Sequence, residues 1–205
     1  MKVELIRYTP DPEMLVGEAA AICYDGKNPE RSLKHAMGNG HTSVSEHASF
    51  TFLIDGVSRV LLAQVTRHRL ASFSVQSQRY VGVRPVWVVP PKVKAKGFEL
   101  SYLDMCDKCY QLFCDMIHCG VPAEDARFVI PQGTTCKLMM TMDTRELLHF
   151  FSLRCCNRAQ WEIRQMAQSM LEQCKAVAPV LFENAGPGCV RGACPEGEKS
   201  CKNTK

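Results

Sequence analysis

Apolar residues in this chain recur at two periods, two and about 3.6, and the segments that carry them do not alternate regularly. Ser49 to Ile54 places Phe50, Phe52 and Ile54 on one face and predicts a strand. Cys136, Leu138, Met140 and Met142 alternate with Thr135, Lys137 and Thr141 and predict another. Tyr80 to Pro91 is β-branched and then proline-terminated, so it reads as a third extended segment. Helical periods run from Val57 to His68, from Phe98 to Cys119 and from Ala159 to Val177. In the middle one, Tyr102, Cys106, Cys109, Phe113, Met116 and Ile117 form the expected buried stripe. Start signals add further helices. Asp11-Pro12-Glu13 predicts one capped by an acid and running to Tyr24, Pro29 opens one that stops at Gly38, and Pro122 opens a short one ended by Pro131. Asp143-Thr144-Arg145-Glu146 has the form of a capping box before a helix to Cys155. A doubly wound sheet needs strands and helices in strict succession, which this order does not supply. The expected fold is α+β: a single domain with a mixed or antiparallel sheet flanked by long helices.

Composition narrows the class. With 205 residues, 46% hydrophobic and 22% charged, the chain can build one sizeable core and is not a disordered polymer. Its longest apolar runs, such as Val60 to Ala63 and Val86 to Val89, are too short to cross a bilayer, so no membrane partner is expected. The start, Met1-Lys2-Val3-Glu4, lacks the apolar core of a secretory signal. The twelve cysteines then read as reduced thiols of a cytoplasmic protein. Residues 186–205, with Cys189, Cys194 and Cys201 among Gly and Pro, are expected to be a loosely ordered tail behind a domain of residues 1–185. Cys106-x-x-Cys109 lies within a helical stripe and reads as core thiols.

The net charge of +4 is too small for bulk nucleic-acid binding, yet it is unevenly spread. Between Asp55 and Glu99 there is no acidic residue, while Arg59, Arg67, Arg69, Arg79, Arg84, Lys92, Lys94 and Lys96 all fall there. A field of one sign over such a stretch favours an anionic ligand, phosphates above all. The lysine trio reads as a solvated loop. Arg67-His68-Arg69, followed by the hydroxyls and amides of Ser72, Ser74, Gln76, Ser77 and Gln78 and then Arg79, is more specific. Guanidinium forks match phosphate oxygens, and short hydroxyls complete an anion pocket. The bland alternative, a basic segment capping a helix end, leaves this concentration of Arg and Ser without an acid to pair it.

Arg67-His68-Arg69, seven residues and then Ser77 resembles the signature of the flavin-dependent thymidylate synthases. The resemblance continues in Gly40-His41-Thr42-Ser43-Val44-Ser45-Glu46-His47, in Ala126-Arg127-Phe128-Val129-Ile130-Pro131, and in Leu153-Arg154 through Ala159-Gln160-Trp161-Glu162-Ile163. It implies reductive methylation of dUMP to dTMP, with methylenetetrahydrofolate as carbon donor and FAD, reduced by NADPH, as hydride source. It further implies that Ser43, Arg67, His68, Arg69, Val75, Asp143, Thr144, Arg145 and His149 line the FAD site. Gln64, Val65, Thr66, Arg67, Val75, Gln76, Ser77, Gln78, Arg79, Arg127 and Arg154 would hold dUMP. Arg154 matches the Arg that favours ionisation of the uracil ring. Sites of this family are shared between subunits of a homotetramer, so a homo-oligomer is implied. Two positions depart from the family pattern. Val75 stands where other members carry Glu or Gln, and Asp143 where others carry Asn.

The remaining features are weaker. Gly186-Pro187-Gly188 and Gly38-Asn39-Gly40 fall short of a dinucleotide fingerprint and read as turns. Ser77 has no His and Asp at a nucleophile's spacing, so its hydroxyl is expected to bind substrate. His41 and His47 flank Glu46 without a zinc spacing, and no metal is expected. The rival reading is a non-enzymatic nucleotide- or RNA-binding module built on the Arg/Ser loop. It would need aromatic stacking platforms, for which only Phe73 and Tyr80 qualify, and it leaves Arg127 and Arg154 unexplained.

Overall fold

The structure, a computed structural model, describes residues 1–201. Its elements in chain order are β1 (Lys2–Tyr8), α1 (Pro12–Tyr24), α2 (Pro29–Gly38), β2 (Ser49–Ser58), α3 (Arg59–Val65), β3 (Ala71–Val75), α4 (Pro91–Ala95), α5 (Glu99–His118), α6 (Ala123–Ala126), β4 (Thr135–Asp143), α7 (Thr144–Arg154) and α8 (Trp161–Val177). The strands form one antiparallel sheet in the order β1-β2-β4-β3, so the expected α+β class holds and the sheet is not mixed. No helix among the described residues is long and apolar enough to cross a membrane.

Several local expectations need correction. Tyr80 to Pro91 is not a strand; it makes a single antiparallel bridge, Trp87 with Thr134. Four prolines and glycines across residues 82–91 withhold the donors and the side-chain packing that a ladder needs. The segment after Arg69, read as a loop, contains β3 instead. The Lys92 to Lys96 stretch is the short helix α4 and part of its cap. Asp11 precedes α1 as expected but lies in the left-handed region (φ 45°) and makes no side-chain cap bond. On α5, Cys106 and Phe113 are buried, whereas Ile117 is exposed. The expected stripe is therefore only partly covered in this chain.

Two compact units divide the molecule. The first comprises Met1–Lys2, Ile54–Arg67 and Ser74–Leu138. Ile54, Val57, Leu61, Val65 and Leu138 are buried there to within about a hundredth of their surface. Gly133 sits so close to Tyr102 that a Cβ would come 1.9 Å from the phenolic oxygen. That approach lets the Tyr102 hydroxyl donate to the Val88 carbonyl at 3.1 Å.

The second unit comprises Val3–Leu53, His68–Phe73 and Met139–Lys205. Its core is aromatic: Phe50, Phe150, Phe151 and Phe182 are fully buried, and the Phe50–Phe182 and Phe151–Phe182 centroids lie 5.3 and 6.0 Å apart. Burying each such ring is worth roughly 1.5–3 kcal/mol. Two of the four belong to α7, so the core fixes that helix and with it the polar residues Glu146 and Arg154, which are spaced by fours with Phe150. At the chain end, short 3-10 turns at Gly188–Arg191 and Gly197–Lys199 lie beside Arg158, whose guanidinium reaches Glu196 (3.5 Å) and the Lys199 carbonyl. Cys155, Cys156, Cys189, Cys194 and Cys201 line one cavity there, but no three of these thiols converge on a common point.

Candidate active site

Helix α7 organises the second unit's polar cluster. Asp143 is its N-cap: Oδ1 accepts from the Glu146 N–H at 2.8 Å, which satisfies a donor that the first turn leaves unpaired. A capping box would send the Glu146 carboxylate back to the cap N–H. Here it turns inward, and its Oε1 accepts from Nδ1 of His68 at 2.9 Å. The other ring nitrogen, Nε2, accepts from Nε of Arg154 at 3.0 Å. A guanidinium can only donate, so His68 carries its proton on Nδ1 and is neutral.

Burial supports the same assignment. His68 and Glu146 are 5% and 6% exposed, and the His68 ring packs edge-on against Phe150 at 4.9 Å. Desolvation depresses the His68 pKa, the Glu146 hydrogen bond opposes that, and the Arg154 charge depresses it further; the net direction is downward. His149 adds a second imidazole, 6.0 Å from His68 between centroids, on the exposed side of α7. His68, Glu146 and His149 are spaced closely enough to suggest a cation site. Both nitrogens of His68 are already committed, however, and Arg154 supplies a positive charge, so the arrangement orders protons better than it holds a metal.

The other residues singled out in this unit have definite places. Arg145 is exposed and pairs with Glu46. Thr144 is fully buried, its N–H and its hydroxyl both donating to the Ala48 carbonyl at 2.8 and 3.1 Å. Ser43 lies exposed in the 3-10 turn Thr42–His47. Arg69 is exposed and has no acidic partner among the described residues, and the same holds for Arg67 in the first unit.

In the first unit, Val65 is fully buried, so its side chain belongs to the core and only its main chain could meet a ligand. Gln64 donates to the Val60 carbonyl at 3.3 Å, and Thr66 caps α3, its hydroxyl donating to Leu62 at 2.9 Å. Val75 ends β3. The turn that follows is tight: Ser77 Oγ accepts from the Arg79 N–H at 3.1 Å, and the Val81 N–H bonds the Ser77 carbonyl at 3.0 Å. Gln76, Ser77, Gln78 and Arg84 line a polar pocket with Asp55. Arg79 was expected to lack an acid, because its own stretch has none. It pairs with Glu124 at 2.6 Å, and Nε of Arg127 donates to the Glu124 carbonyl at 3.1 Å. Two arginines distant in sequence thus meet at one residue.

Sequence reasoning missed Glu146 and Glu124 as partners. Glu146 was visible only as the third residue after a cap, and Glu124 carried no signal.

The fold is shared with a solved structure. A solved UMP/dUMP methylase from Streptomyces cacaoi, bound with 5-Br dUMP, shares the fold with a TM-score of 0.79, covering 89% of this chain and 93% of that one at 24% identity. The chain belongs to the thymidylate synthase complementing protein family, whose model matches residues 4–180. Relatives named flavin-dependent thymidylate synthase include those of Geobacter sulfurreducens, 48% identical over 98% of this chain and 94% of the relative, and of Pyrococcus horikoshii, 41% identical over 97% and 91%. A third, from Clostridium tetani, is 39% identical over 98% and 93%.

Proposed function

We propose that this chain methylates dUMP to dTMP reductively, with methylenetetrahydrofolate as the carbon donor. FAD, when bound, supplies the hydride after reduction by NADPH. The observation that carries the assignment of roles is the chain of contacts from buried Glu146 through buried His68 to half-buried Arg154, in which a neutral imidazole holds a guanidinium by its Nε. Arg154 is the catalytic residue: a guanidinium fixed beside the uracil ring stabilises the negative charge that develops there and makes the ring a better nucleophile.

The donor set suits a flavin dinucleotide. Its diphosphate is anionic, and the guanidiniums of Arg67 and Arg69 are exposed without an acid of their own among the described residues. We assign FAD binding to these two together with Ser43, His68, Val75, Thr144, Arg145 and His149. Asp143 acts through the cap that orders α7, and Thr144, fully buried, contributes by anchoring the start of that helix on Ala48. The nucleotide is assigned to Gln64 to Arg67, Val75 to Arg79, Arg127 and Arg154. The Ser77 hydroxyl binds and does not attack.

The enzyme acts as a homotetramer with shared sites. Leu70, Tyr80 and Phe128 support this, each more than 70% exposed and each next in sequence to an assigned arginine. Large apolar side chains at such positions suit burial against another copy. The cytoplasm is the compartment, in keeping with twelve free cysteines. The catalytic domain is residues 1–185, with residues 186–205 an appended tail.

Arg154→Ala tests the reading. NADPH oxidation without dUMP should largely survive, while dTMP formation falls by on the order of 10²–10³. Equal loss of both would assign Arg154 to the flavin site or to folding. Purified protein that takes up no FAD would overturn the function itself.

A further inference from the structure

We propose that Glu146 is a positioning residue, which acts through the tautomer of His68 to aim Arg154. The inference rests on the catalytic role given above to Arg154. Free imidazole favours the proton on Nε2, and in that form His68 would turn an N–H toward the Arg154 N–H, donor against donor. Glu146 reverses the preference. Its carboxylate is 6% exposed and accepts from Nδ1 at 2.9 Å, so the proton stays on that nitrogen and Nε2 keeps its lone pair for Arg154 at 3.0 Å. A buried carboxylate beside an imidazole is the usual device for selecting a tautomer.

The cluster is built to hold this arrangement. The Glu146 backbone is fixed by the Asp143 cap at 2.8 Å, and the His68 ring is held against Phe150 at 4.9 Å. Neither partner can turn away without opening the first turn of α7 or leaving the aromatic core. His149 lies on the same helix one turn further on, with its ring 6.0 Å from His68, and it makes no hydrogen bond to that ring. The ordering of His68 is therefore the work of Glu146, and the nitrogen left to accept belongs to Arg154.

Neutron diffraction from the FAD-loaded enzyme reads the tautomer directly and needs no variant. Deuterium on Nδ1 with Nε2 bare is the expected result; deuterium on Nε2, alone or as well, overturns the proposal. Kinetics give a second readout. Glu146→Ala should lower kcat for dTMP formation by about ten- to a hundredfold, as when partners that orient reacting groups are removed, with little change in KM for dUMP. Glu146→Gln, which keeps an acceptor oxygen for Nδ1, should lose less.

The double variant Glu146→Ala/Arg154→Ala should be no slower than Arg154→Ala, because Glu146 then has nothing left to aim. Multiplicative losses would make Glu146 merely structural and overturn the proposal, leaving the role of Arg154 intact. Full dTMP formation by Arg154→Ala would instead overturn that role, and the proposal with it.

Discussion

Replacing Asp143 by alanine removes one hydrogen bond whose energetic and functional consequences can be separated. The bond runs from the Glu146 N–H to Asp143 Oδ1 at 2.8 Å and caps an eleven-residue helix. Loss of a side-chain cap costs about 1 kcal/mol, within a range of about 0.5–2 kcal/mol. Here the value should stay near the middle. The next residue, Thr144, is anchored twice to the Ala48 carbonyl, so the helix end cannot unravel, yet the freed N–H belongs to a residue that is 6% exposed. For a domain of this size, 1 kcal/mol corresponds to a fall in Tm of about 2–4 °C. Asp143→Asn keeps an oxygen acceptor and loses only the attraction of a charge for the helix dipole, about 0.3–1 kcal/mol. The assay is urea unfolding of both variants at one protein concentration, since oligomerisation shifts apparent stability, alongside FAD retention. Alanine should be the worse of the two in stability, and both should retain FAD. If asparagine is as damaging as alanine, or if alanine changes nothing, Asp143 is not serving as a cap.

Three further outcomes are expected. Ser77→Ala should raise KM for dUMP in line with one lost neutral hydrogen bond, about 0.5–1.5 kcal/mol, while turnover continues; a covalent adduct between Ser77 and the uracil ring, seen by mass spectrometry, would refute a binding role. Gly133→Ala drives a methyl against the Tyr102 hydroxyl and should cost about 1–3 kcal/mol by denaturant melts, with part of it recovered in a Tyr102→Phe background. Equal damage in both backgrounds would locate the strain elsewhere. His68 has a pKa below its unfolded value of 6.5, so the folded state binds fewer protons than the unfolded one. Its contribution to stability is complete above 6.5 and is lost as pH falls from there through the folded value; urea midpoints from about pH 8 to about pH 5 should decline, and less steeply in His68→Asn.

Signals that act over one helical turn or one strand pleat were legible in the sequence. The alternation of Phe50, Phe52 and Ile54 and of Leu138, Met140 and Met142 marked β2 and β4, whose inward faces are buried. Pro12, Pro29 and Asp143 marked three helix starts, because the constraints that open a helix lie within its first turn. The Arg67-His68-Arg69 and Ser77 spacing pointed to the family to which the chain belongs. What was not legible depends on which distant faces meet. Tyr80 to Pro91 has strand-forming side chains, but its prolines and glycine hold it to the single bridge of Trp87 with Thr134, so most of its propensity went unused. Ile117 has the period of a buried residue, yet among the described residues it is left 39% exposed. Arg79 found its acid 45 positions on, in Glu124, and His68 found Glu146 at a separation of 78 and Arg154 at 86. Such pairs carry no periodic or local signal. The His68 contacts form because burial leaves a polar group no water to bond and the packed chain admits only the partner within reach, whereas Arg79 and Glu124, both half-exposed, meet because the fold brings their segments together.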